Sequence, residues 1–122
     1  MVDRIKKDFE KIGLPTDVDI QLKGYSKTYE GRYIPSHKQI VLYHLANEEG
    51  IPVQYKYLLH TAIHEGVHHV QWSNPDFIRY KGIMHDSEFW KLYNLYVFRA
   101  ENHGLFLPYR NRINLKTRGR KD

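Results

Sequence analysis

The 122-residue chain contains no cysteine. That excludes disulfides, Cys-ligated zinc fingers, iron–sulfur clusters and thiol nucleophiles. Any metal site must therefore be built from His, Asp, Glu or backbone oxygen. No run approaches eighteen consecutive apolar residues, so no membrane-spanning helix is expected. The opening MVDRIKKDFEKIGL mixes charges into an amphipathic pattern. It lacks the continuous apolar core and small-residue cleavage site of a signal peptide, and a cytoplasmic, intracellular protein is expected.

What is present suits one compact domain. The composition, 41% hydrophobic and 14% aromatic, is too apolar for a disordered chain. The net charge of +5 is unevenly placed. Residues 110–122 carry Arg110, Arg112, Lys116, Arg118, Arg120 and Lys121 against the single acid Asp122. The other 109 residues balance 13 bases with 13 acids. The expected organisation is a neutral domain over 1–109 and a basic, flexible tail over 110–122. A cationic tail favours a polyanion such as DNA, and its six bases are the candidate nucleic-acid contacts. A solubilising end without a partner is the alternative.

The pattern predicts an α+β domain. Val2, Ile5, Phe9 and Ile12 recur at helical spacing and are followed by Gly13 and Pro15, which predicts a short helix over 2–12. Residues 17–44 alternate through DVDIQLK, TYEGRYI and KQIVLYH, which predicts two or three antiparallel strands. So small a sheet needs helices over one face. Pro52 suits the first turn of a helix running from there to Trp72, ended by Ser73-Asn74-Pro75. A second long helix is predicted over 86–102, capped by Asp86 or Ser87 and stopped at Gly104. Its apolar stripe is Phe89, Leu92, Tyr93, Tyr96, Val97 and Ala100.

The chemistry sits in His64-Glu65-Gly66-Val67-His68, an H-E-x-x-H sequence inside the first of these long helices. Four residues is just over one turn, so His64 and His68 share a face and can converge on one zinc ion. Glu65 sits beside that face, placed as general base towards a zinc-bound water rather than as a ligand. A catalytic zinc needs a third protein ligand. His85, at the start of the second long helix, is preferred, with Glu88 as the alternative. His69 points about 100° from His68 and is expected to pack or face solvent. Gly66 costs up to about 1 kcal/mol in a helix. It is accounted for either by close approach of a strand or substrate over the metal face, or by tight packing against the sheet. Tyr80 and Tyr93 are candidates for stabilising the oxyanion formed on attack. Tyr25, Tyr29 and Tyr33, near Lys23, Lys27 and Arg32, suit either base stacking or an aromatic sheet edge.

H-E-x-x-H, a loop, then H-x-x-x-F at a helix start resembles the SprT-like zinc metallopeptidases, a family that includes Spartan and the small YgjP and WLM-type relatives. The matching residues are His64, Glu65, His68, His85 and Phe89, followed by Trp90, with Gly31-Arg32-Tyr33 and Gln39-Ile40-Val41-Leu42 upstream. The resemblance spans about residues 15–100. It implies a minimal zincin-like domain in which a small antiparallel sheet packs on the motif helix and a second helix brings the third ligand. It also implies hydrolysis of peptide bonds in a polypeptide substrate, with DNA-associated proteins as one substrate class. The alternative is a zinc-stabilised nucleic-acid-binding module without protease activity.

Overall fold

The computed structural model describes residues 1–77 and 85–106. Three helices and three strands follow in the order α1 (Val2–Ile12), β1 (Asp19–Lys23), β2 (Gly31–Ile34), β3 (Gln39–Tyr43), α2 (Tyr55–Ser73) and α3 (Ser87–Asn102). The class is α+β, as the sequence pattern predicts. No described helix is long and apolar enough to cross a membrane. The proposed boundary between 109 and 110, and the basic residues beyond it, lie outside the described residues.

Helix α1 follows its sequence pattern closely. Ile5, Phe9 and Ile12 are buried along one stripe, and Gly13 ends the helix in the left-handed conformation, its φ being 83°. Helix α3 begins where its cap predicts. The Asp86 carboxylate accepts from the backbone N–H of Phe89 at 2.9 Å.

Two expectations need correction. The sheet is mixed rather than wholly antiparallel. Its order is β1-β3-β2, with β1 parallel to β3 and β2 antiparallel to β3. Strand β3 takes the centre because it is the segment apolar on both faces. Ile40 and Leu42 join the main core while Val41 is buried on the other side. Strand β1, with Ile20 buried between the exposed Asp19 and Gln21, suits an edge. The motif helix also starts later than Pro52. Pro52 forms a β-bridge with Leu45, Ala46 N–H donates to Ile51 O at 2.7 Å and Val53 N–H donates to His44 O at 2.9 Å. These bonds hold residues 44–53 as a tight excursion, so helix α2 begins only at Tyr55.

The middle of helix α2 is covered on all sides. Every residue from Leu58 to His69 is buried, because β2, β3, α1 and α3 all pack against it. A single apolar stripe therefore understates its burial. Gly31 sets the closest of these approaches. A Cβ on Gly31 would lie 2.6 Å from Thr61 Cγ2, 3.2 Å from Val41 O and 3.3 Å from Glu65 Cγ. Gly31→Ala is expected to destabilise the fold by about 1–3 kcal/mol through overpacking. Thr61→Ser removes the clashing methyl and keeps the hydroxyl that donates to Tyr57 O. In denaturant unfolding, the double variant should recover much of the loss. Full additivity of the two substitutions would show that this contact does not set the strand-to-helix spacing.

Candidate metal centre

The three histidines singled out by the motif and its following helix meet in space. His64 Nε2 lies 3.0 Å from His85 Nε2, and His68 Nε2 lies 3.2 Å from the same atom. All three ligand atoms fall within 4.8 Å of one another. For Zn–N bonds near 2.05 Å, a tetrahedral arrangement separates ligand nitrogens by about 3.3 Å, close to both distances. The donor set of three imidazoles fits a divalent metal of the zinc class.

Two helices build this arrangement. Helix α2 supplies His64 and His68 from successive turns, both buried. His85 enters from the residue before the Asp86 cap of α3. Phe89, wholly buried, lies under all three rings, with centroid separations of 4.8, 4.6 and 4.8 Å to His64, His68 and His85. It fixes the imidazole planes by packing, while the cap fixes the register of α3 against α2.

Glu65 is also buried, at 2% exposure. Its Cγ lies close to the Gly31 backbone, so the side chain leaves α2 on the side of the edge strand β2. Glu88, the alternative third ligand, has a side chain 68% exposed and paired with Lys91 at 3.4 Å. The group that could hold a metal does not include it.

His69 turns away from the cluster, as its position on the helix predicts. It is only 1% exposed and fully bonded: Tyr33 OH meets Nδ1 at 2.8 Å and Asp17 Oδ1 meets Nε2 at 2.9 Å. Tyr33 and Asp17 were not singled out with His69, since they lie 36 and 52 residues from it. The network ties β2 and the lead into β1 to the motif helix. Burial pushes the Tyr33 phenol up from its ordinary value. Asp17 is held below the usual carboxylate range, first by its hydrogen bond with His69 and then by charge attraction. A carboxylate lowered on folding stabilises the fold above its unfolded pKa and loses that contribution as pH falls through the folded value. Thermal melts of the parent and Asp17→Asn should therefore differ at pH 6, and the gap should close as the pH falls through the lowered Asp17 pKa. A gap that widens on acidification would contradict the network.

The remaining candidates divide. Tyr93 lies beside the cluster, its ring 5.8 Å from that of His64, and its hydroxyl meets His60 Nδ1 at 3.3 Å. His60 is stacked on Phe106 at 3.8 Å, so it acts as a buried support next to the site. Tyr80 and the basic residues Arg110, Arg112, Lys116, Arg118, Arg120 and Lys121 lie outside the described residues. Gly66 is explained by packing, against neither sheet nor substrate. A Cβ there would come within 3.2 Å of Phe9 and Leu14, so the glycine lets α1 and its following loop close on α2.

No family model matches the chain, and no curated protein matches it. Among solved structures, it is similar to the metallopeptidase zymogen abylysin of Pyrococcus abyssi, at 18% identity and a TM-score of 0.59, over 100% of both chains. Identity at that level speaks to the fold, and the chain accordingly has a small, metallopeptidase-like α+β fold.

Proposed function

We propose that the protein is a zinc-dependent metallopeptidase, SprT-like in its site, that hydrolyses peptide bonds in polypeptides. The observation that carries this reading is the convergence of His64, His68 and His85 beside a buried glutamate. The metallopeptidase-like fold supports it. When bound, zinc supplies Lewis acidity, acidifying a water and polarising the scissile carbonyl. The chain's own residues do the rest. Glu65 takes the proton from the attacking water and returns it to the amine nitrogen as the C–N bond breaks. Tyr93, whose hydroxyl is steadied by its contact with His60 Nδ1, donates to the oxygen on which negative charge develops. Among polypeptides, DNA-associated proteins suit the +5 charge of residues 110–122.

The test is cleavage of an unfolded polypeptide by the full chain before and after chelation. The expected result is about one zinc per chain, loss of cleavage on its removal and recovery on adding zinc back. Cleavage that persists in the metal-free protein, or its absence in protein loaded with zinc, would overturn the proposal.

A further inference from the structure

We infer that Trp90 determines specificity at this site: its indole is the wall against which a large apolar side chain of the polypeptide packs, next to the bond that is cut. The inference rests on the metallopeptidase reading and extends it to the substrate. Phe89 points inward under the three histidines and is wholly buried. The next residue, about 100° further round the helix, emerges at the rim. Trp90 is 40% exposed, yet its ring is fixed by neighbours. It meets Phe89 edge-on at 5.0 Å and Tyr93 edge-on at 5.6 Å. It also borders two of the three candidate ligands, with centroids 5.7 Å from His85 and 6.1 Å from His64.

An open indole held beside reactive groups is a preformed apolar contact. Leu95 and Phe98 are also exposed on α3, but Trp90 is the one that joins the ring cluster around the histidines. The chemistry of the flanking positions favours an apolar occupant over a charged one. Glu88 and Lys91, on either side of Trp90 in the sequence, pair with each other at 3.4 Å, and the Asp86 carboxylate one turn before it is taken up by the Phe89 N–H. A flat aromatic surface of fixed orientation rewards Leu, Met or Phe, which lose water on contact with it.

The experiment has two arms. In the first, the zinc-loaded parent, Trp90→Ala and Trp90→Phe digest an unfolded polypeptide mixture, and the residues flanking each cut are read by mass spectrometry. The parent should favour Leu, Met or Phe on one side of the bond. Trp90→Ala should bind zinc as the parent does and lose about tenfold of that preference, while Trp90→Phe retains most of it. An unchanged preference in Trp90→Ala, or a parent preference for Lys, Arg or Asp, overturns the inference and leaves the peptidase reading standing. The second arm needs no turnover. Trp72 and Trp90 are the two tryptophans, so Glu65→Gln combined with Trp72→Phe leaves Trp90 as the only reporter. Peptides carrying Leu or Phe should shift its emission to the blue, and matched peptides with Asp in that place should not. A zinc-loaded parent that cuts nothing, together with emission unmoved by every peptide, overturns both readings.

Discussion

Glu65→Gln is expected to lower peptide cleavage by about 10²–10⁴-fold while leaving metal content and fold unchanged. Glutamine matches glutamate in size, so the substitution fits the 2%-exposed position between α2 and Gly31 without overpacking. What it cannot do is accept a proton from water. The loss should therefore appear in kcat, with KM for a peptide little changed. Zinc analysis and a denaturation curve on the same sample separate this from misfolding. A variant that cleaves within about threefold of the parent would remove the general-base role. If the parent also cleaves nothing, the three histidines are left as a folding site, which is the nucleic-acid-binding alternative.

The second large effect concerns the metal. His85→Ala should weaken zinc binding by more than about 100-fold, since loss of even an outer partner of a ligand costs about 10–100-fold. Glu88→Ala should leave zinc binding unchanged. The structural reason is a sharp contrast between two residues three positions apart. His85 Nε2 is 3.0 and 3.2 Å from the other two imidazoles, whereas the Glu88 carboxylate is exposed and paired with Lys91. Elemental analysis after dialysis against a weak chelator measures the difference. Zinc retained by His85→Ala and lost by Glu88→Ala would move the third ligand one turn along α3.

Much of the site is legible because it is local. The spacing of His64 and His68 is set by helix geometry, and the Asp86 cap places the start of α3. Other features were legible only as alternatives. Gly66 signalled a close approach, but its neighbours Phe9 and Leu14 lie more than fifty residues away, and nothing in the motif points to them. Gly31, likewise, opens strand β2 at a point where a Cβ would lie 2.6 Å from Thr61 Cγ2, a neighbour thirty residues away. A glycine reports that space or freedom is needed, not which neighbour requires it.

The sequence by itself determined the helical face shared by His64 and His68, the place of Glu65 beside it, the end of α1 at Gly13, the start of α3 at Asp86 or Ser87, and the exclusion of thiol chemistry. Each follows from covalent geometry or composition within a few residues. Only the tertiary structure decided that His85 rather than Glu88 joins the pair, that β3 enters between β1 and β2 with β1 parallel to it, and that His69 serves as a buried tie to Tyr33 and Asp17. These outcomes depend on which distant surfaces bury each other. That choice is made by packing across the whole chain and leaves no local pattern to read.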